Sequence, residues 1–262
     1  MGTLAPLVKI PGVLGRLLRR SGGLLLDQIY PPVCLNCQAP VAEADSLCAA
    51  CFRSLRPITK PYCSVLGIPF QVFLGHDAVS AEALADPPPF GRARAAVIYN
   101  EVAAGLVSQL KYGDRPELAR FCARLMAPAG HELWADKPVL LPVPLHRSRQ
   151  VQRRYNQSAE LALALGALTG LSVDMRLLRR PRKTRQQVGL TADQRHRNVA
   201  GAFSVDEGRA IRAMGRRVVI IDDVLTTGST VRAVTQTLKR AGFDKIDVMT
   251  FARVVIGADL PI

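Results

Sequence analysis

The chain is short of aromatic residues, of acids and of long apolar stretches, and each shortage narrows what it can be. Aromatics are 5% of 262 residues, with a single Trp, which leaves little material for a broad base-stacking platform. Asp and Glu number 21 against 35 Lys and Arg, a formal charge of +14. Such a balance favours polyanionic partners: phosphorylated substrates, nucleic acid or an acidic membrane surface. No apolar run approaches the ~18 residues that a bilayer-crossing helix needs. The four His residues show no metal spacing among themselves. There is no G-x-G-x-x-G for a dinucleotide, and no Gly-Lys-Ser/Thr to complete a Walker loop. Leu24-Leu25-Leu26 is too short an apolar core for a secretory signal. Disorder is excluded in turn, because 48% of the residues are hydrophobic.

What is present is organised around Val218 to Thr230, VVIIDDVLTTGST. Four β-branched apolar residues read as a parallel strand buried on both faces. Two acids follow, Asp222 and Asp223, then Val224 and Leu225, then the hydroxyl-rich loop Thr226-Thr227-Gly228-Ser229-Thr230. From about Thr230 an amphipathic helix is expected, with Val231, Val234, Leu238 and Ala241 inward and Gly242 as its stop. Ligands of parallel sheets sit beyond the carboxyl ends of the strands, where a small loop turns its amides toward an anion at a helix N-terminus. A helix dipole supplies only ~0.3–1 kcal/mol, so several aligned amides must share that work. Neighbouring strand residues face opposite ways, so the two acids serve one ligand only if the strand is ending. Carboxylates repel phosphate; their use beside it is to hold sugar hydroxyls or Mg²⁺. The expected ligand is a sugar phosphate.

A second unit of the same kind lies upstream. Val139-Leu-Leu-Pro-Val143 is a short buried strand. The donor-rich segment His146 to Gln157 follows, containing Arg147, Arg149, Arg153 and Arg154, and then a helix with Leu161, Leu165 and Leu168 inward that closes at Gly170. In one sheet the two units put both loops on the same rim. Between them, residues 179–217 carry eleven Lys/Arg against three Asp/Glu. The centre, Lys183 to Thr191, lacks periodicity and reads as a loop able to close over a bound substrate. Ala95 to Tyr99 is a strand candidate, Val102 to Leu110 and Pro116 to Met126 are helices, and Cys122 belongs to the core.

Cys34-Leu-Asn-Cys37 and Cys48-Ala-Ala-Cys51 form C-x2-C-x10-C-x2-C. Two such knuckles complete a tetrahedral Zn²⁺ site, and four cysteines leave no open position for chemistry, so the zinc is structural. Disulfides need an oxidising compartment; with no export signal the expected location is cytoplasmic. Cys63 opens what would be a third knuckle, but Leu66 stands where its partner would be. Met1 to Tyr30 reads as an amphipathic helix docking on the body, and Pro87-Pro88-Pro89 marks a linker.

Residues 218–230 closely resemble the phosphoribosyl pyrophosphate (PRPP) signature of phosphoribosyltransferases. The resemblance implies Asp222 and Asp223 at the ribose hydroxyls, with Mg²⁺, and Thr226, Thr227, Gly228, Ser229 and Thr230 around the 5′-phosphate. Arg147, Arg149 and Arg153 become candidates for the pyrophosphate, which arginine forks suit. A closer likeness adds PVPLHRSR, RRYNQ and LLRRPRKTRQQVGLTADQRHRNVAGAF to the cysteine pairs. Together these resemble the ComF family, bacterial proteins linked to natural competence and DNA uptake, with a zinc ribbon ahead of a phosphoribosyltransferase-type domain. Two features depart from that family. Many relatives have two zinc ribbons, whereas the second here would hold Cys63 alone, so one zinc is expected. Arg154 stands where the family usually has Gly.

The expectation is therefore an α/β chain: an N-terminal helix over 1–30, a zinc ribbon over 31–86, and a parallel-sheet phosphoribosyltransferase-like domain over 91–262. Its expected function is PRPP binding with Mg²⁺ and 5-phosphoribosyl transfer, with Asp222 and Asp223 the catalytic pair. The alternative is a non-catalytic, PRPP-responsive zinc-ribbon protein that handles single-stranded DNA, alone or with other competence and DNA-processing proteins.

Overall fold

A computed structural model describes residues 31–112, 115–147, 155–182 and 201–255, with 194, 198 and 199 between them. The expected helix over 1–30, Arg149, Arg153, Arg154 and the loop Lys183 to Thr191 lie outside the described residues.

The α/β body is a four-stranded sheet in the order β1-β6-β5-β2, parallel throughout. Its strands are β1 (Ala93–Ile98), β2 (Val139–Pro142), β5 (Val218–Leu225) and β6 (Ile246–Arg253). Every residue of β1, β2 and β6 is buried, the condition of strands covered on both faces. A two-stranded antiparallel ribbon, β3 (Leu178–Arg179) with β4 (Ser204–Val205), stands apart from the sheet.

Helices cover each face. On one side lie α3 (Glu101–Tyr112), α4 (Pro116–Ala129) and α5 (Gln157–Thr169), whose Leu106, Leu118, Cys122, Leu161 and Leu165 meet Val219, Ile221 and Phe251 in one core. On the other lie α6 (Glu207–Ala213) and α7 (Ser229–Arg240), where Ala210, Val231, Val234 and Leu238 meet Val218, Ile220 and Val248. Leu168 does not turn inward with Leu161 and Leu165 but is 54% exposed in the last turn of α5, which closes at the left-handed Gly170.

The cysteine-bearing segment forms two lobes. The first contains α1 (Ala49–Ser54), and the second contains α2 (Ala81–Ala85). They straddle the β1 edge: Cys34, Leu35, Cys51 and Leu55 join the first core, while Cys63, Leu66 and Ala83 join the second. The chain between them closes the edge strand, as Pro57 bridges Val97, the Ile58 amide donates to Ala96 O and the Ile98 amide to Arg56 O. An edge so occupied offers no free ladder to another chain. Glu132 fastens this junction, accepting from Tyr62 Oη at 2.5 Å and Arg94 Nη2 at 2.8 Å. Among the described residues no helix is long and apolar enough to cross a membrane.

Candidate functional site: the rim of β5 and β2

The first lobe holds the metal site. The turn at Cys34 is closed by the Val33–Pro40 bridge, and Cys48 caps α1 so that its sulfur accepts from the Cys51 amide. All four sulfurs lie within 4.8 Å of one another, and Cys37 Sγ and Cys48 Sγ are 3.7 Å apart. Four thiolates at about 2.3 Å from a tetrahedral Zn²⁺ stand about 3.8 Å apart. The cluster therefore fits a closed, structural zinc. Asn36 donates to Cys51 Sγ at 3.4 Å, an outer contact of the kind that orients ligands.

At the far end of the sheet the two strand–loop–helix units share a rim, since β2 and β5 are adjacent and parallel. After Leu225 the chain turns through Thr226 and Thr227, both exposed, to Gly228 at φ 76°, and enters α7 at Ser229. Left-handed backbone is what glycine adopts without a steric cost. Ser229 is buried with its Oγ 2.9 Å from Thr227 Oγ1, and Thr230 is half-buried. The start of α7 is tied back to the second lobe, where Arg232 pairs with Asp86 at 2.9 Å.

The strand does not end before the acids. β5 runs on to Leu225, paired with β6 through Asp222, Val224 and Leu225. Both carboxylates nevertheless engage the same helical layer. Asp222 Oδ1 accepts from Ser158 Oγ and from the Asp223 amide, each at 2.9 Å. Asp223 is 5% exposed and pairs with Lys111 Nζ at 2.9 Å. Removal from water and then the Asp223 charge push the Asp222 carboxyl up to about 7, against the Ser158 and Asp223 hydrogen bonds and the Lys111 ammonium. Two neighbouring carboxylates are the hard oxygen donors that Mg²⁺ takes.

Lys111 and Ser158 are site residues that the sequence conceals. A Lys in the last turn of a helix reads as a partner for the helix dipole, and Ser158 reads as part of a first turn capped by Asn156. Only the fold carries them to β5. The same region is tied by Tyr155, whose hydroxyl donates to Leu110 O at 2.5 Å, and by Asn156 Nδ2, which donates to Val143 O at 3.0 Å.

Beside β2 opens a cleft of about 960 Å³, lined by His146, Arg147, Glu160, Arg179 and Arg180 among others. Arg147 is exposed at its mouth. Arg180 is 7% exposed and lies 5.0 Å above the Phe203 ring. Among the described residues of the basic stretch three arginines are engaged in ion pairs: Arg179 with Asp206, Arg209 with Asp174, and Arg217 with Asp136 and Asp247. These three cations are therefore shared with acids and not wholly available to a polyanion.

Comparison with known proteins follows the same division. Residues 25–84 match a double zinc ribbon domain and residues 174–260 a phosphoribosyl transferase domain. The chain is 33% identical to the DNA utilization protein YhgH of Salmonella typhi over 232 residues, covering 85% of this chain and 97% of that protein. It is 31% identical to the protein of that name from Escherichia coli K12 over 230 residues, with the same coverage. Identity to Competence protein F of Haemophilus influenzae is 29% over 227 residues, 84% of this chain and 96% of that protein. A solved structure of an allosteric regulatory enzyme of purine biosynthesis overlaps 54% of this chain and 29% of its own at 20% identity, with a TM-score of 0.36. Nearly full-length likeness to these relatives, a ribbon ahead of a phosphoribosyl transferase domain and the motifs at 142–157 and 218–230 together place the chain in the ComF family.

Proposed function

We propose that the protein binds PRPP with Mg²⁺ on the β5–β2 rim and transfers its 5-phosphoribosyl group to an acceptor entering by the cleft. The observation that carries this reading is the pair Asp222–Asp223, held by Ser158 and Lys111 and separated by four residues from a left-handed Gly228 that opens a helix. The Thr226 to Thr230 loop cradles the 5′-phosphate with amides and hydroxyls. Asp222 and Asp223 take the ribose hydroxyls, and Lys111 holds the Asp223 carboxylate in place through their ion pair. Bound Mg²⁺ would neutralise charge on the pyrophosphate. Arg147, with Arg149 and Arg153, receives the pyrophosphate as the bond from C1 to its oxygen breaks. That bond's electron pair leaves with pyrophosphate, C1 gains oxocarbenium character, and the acceptor's lone pair closes the new bond to C1 while its proton passes to solvent. Fixed donors aimed at the developing charge supply most of the acceleration in such a site. The protein works in the cytoplasm, where PRPP and reduced thiols coexist.

The decisive experiment offers PRPP and Mg²⁺ with a panel of nucleobases and amines and follows pyrophosphate release. In parallel, PRPP should raise the melting temperature. Asp222→Asn with Asp223→Asn should abolish both signals while the unliganded fold persists. A double variant that binds PRPP as the wild type does would refute the assignment.

A second reading is favoured by the relatives' names: a non-catalytic protein that handles single-stranded DNA, PRPP being a signal. The engaged arginines of 179–217 weaken it. Gel shifts at moderate salt separate the two, since binding through phosphate contacts should fall steeply with salt. Failure of single strands to bind at micromolar protein removes this reading.

A further inference from the structure

The match to a double zinc ribbon implies a second metal in residues 61–86, and the side chains there do not fit one. The backbone of that lobe nevertheless repeats the first feature by feature. Val33 bridges Pro40 and Tyr62 bridges Pro69, both antiparallel. The Cys34 amide donates to Ala39 O at 2.7 Å, and the Cys63 amide to Ile68 O at 2.8 Å. Gln38 donates to Cys34 O and Gly67 to Cys63 O, and both donors stand in left-handed backbone, at φ 64° and 66°. The residue after each of these cysteines reaches across to the second turn: the Leu35 amide donates to Ser46 O at 3.0 Å and the Ser64 amide to Ala78 O at 2.9 Å. Two residues past each acceptor comes a helix cap, Cys48 in one lobe and Ser80 in the other. Cys48 Sγ accepts from the Cys51 amide at 3.5 Å, and Ser80 Oγ accepts from the Ala83 amide at 3.4 Å.

We infer that residues 61–86 are a second ribbon lobe that keeps its fold without a metal, with Leu66, Ser80 and Ala83 standing at the positions where Cys37, Cys48 and Cys51 bind zinc. Only Cys63 survives of the four, at the place of Cys34. The space that an ion would fill is closed by side chains: Cys63 is fully buried, and Leu66, Ser80 and Ala83 are each no more than 9% exposed. Cys63 Sγ accepts from the Leu66 and Ser80 amides, both at 3.2 Å. One buried cation stands in for the missing charge. Arg253, at the end of β6, is 7% exposed and donates from Nη1 to Leu66 O at 2.6 Å; burial brings its pKa down to about 10, against the Glu82 and Cys63 charges that favour the cation. Burial of Leu66 and Ala83 against Phe90, Ala93 and Leu225 joins the lobe to the second core. Exchange of a metal for apolar contacts is available here because this lobe, unlike an isolated zinc module, rests on a large α/β domain.

The exchange bears on the site. The second lobe flanks the phosphate loop through Arg232–Asp86, and the residue after Arg253 donates from its amide to Leu225 O. The wall of the rim is thus free of zinc, while the zinc sits on the opposite face of β1.

Zinc per chain, measured by elemental analysis on the intact protein, tests the inference without reference to PRPP. The wild type should hold one zinc, and the variant Leu66→Cys with Ser80→Cys and Ala83→Cys should hold two, doubling the thiolate-to-metal absorption on cobalt substitution. Cys63→Ser in the wild-type background should keep the one zinc, and Cys34→Ser should lose it, so the claim remains testable if the triple variant fails to fold. A wild type with two zincs, loss of zinc from Cys63→Ser, or a folded triple variant with one zinc overturns it.

Discussion

The two strand–loop–helix units of the rim have similar strands and opposite loops. After β5 only Thr226, Thr227 and Gly228 intervene before the helix, whereas fourteen residues separate β2 from α5. The short loop is uncharged and fixed by one left-handed glycine and a buried serine. The long one is cationic and anchored at its ends, where the Val143 amide donates to Ile221 O and Asn156 and Tyr155 hold the return. The contrast matches what the proposed reaction would ask of the two loops: a phosphate that must stay where it is, and a pyrophosphate that must be held and then released.

The largest expected effect breaks the short loop. Gly228→Val places a β-branched residue in left-handed backbone, where even an ordinary side chain costs about 1–2 kcal/mol, and should weaken PRPP binding at least a hundredfold by calorimetry. Gly170→Ala is the control: Gly170 is also left-handed at φ 70°, so stability should fall there while PRPP affinity stays. Equal affinity for PRPP in Gly228→Val would show that the loop is no phosphate cradle. Next, Arg147→Ala should weaken pyrophosphate about tenfold and leave ribose 5-phosphate within about twofold, as a charge-assisted hydrogen bond is worth about 1.5–3 kcal/mol. Equal losses for both ligands would erase the division of labour between the loops.

Smaller effects should follow at the acids. Lys111→Met leaves Asp223 buried without its cation, and should lower the melting temperature by several degrees; adding Asp223→Asn should restore most of it. No recovery in that double variant means that the pair is not coupled. The smallest effect is in pH. The folded-state carboxyl of Asp222 is raised from 3.8 to about 7, so the folded protein binds the proton more tightly than the unfolded chain. Its burial therefore costs nothing below about 3.8 and costs progressively more as pH rises toward 7. In metal-free protein Asp222→Asn should melt like the wild type near pH 4 and a few degrees higher at pH 8. A difference that is the same at both pH values would deny the shift.

Much of the rim and of the metal site is legible because their signals are local. The apolar run before Asp222 and the glycine before a helix lie within a dozen residues, and the two C-x-x-C knuckles within eighteen. Lys111 and Ser158 are legible only once the sheet order is known, since they reach β5 from helices more than sixty residues away in sequence. β6 is hidden for another reason. Its Asp247, Thr250 and Arg253 give it the look of a half-exposed strand, yet all three are buried. Asp247 is satisfied by the Arg92 amide and by Arg217 Nη1, both at 2.8 Å, so a polar pattern sits at the centre of the sheet. The second lobe shows the converse: its cysteine pattern is gone, and its fold survives in backbone hydrogen bonds that no single residue type announces.

The place of β6 also governs the order in which the protein can be built. It is made after β1, β2 and β5, yet it lies between β1 and β5. On the ribosome β2 and β5 can pair as soon as both emerge, and β1 is covered on one side by residues 56–58. The remaining edges of β1 and β5 face each other with nothing between them until Arg253 has been synthesised. Through that interval two apolar ladders stand open to other chains. A nascent chain of this protein is therefore most in need of a chaperone late in synthesis, when nearly all of it is already present.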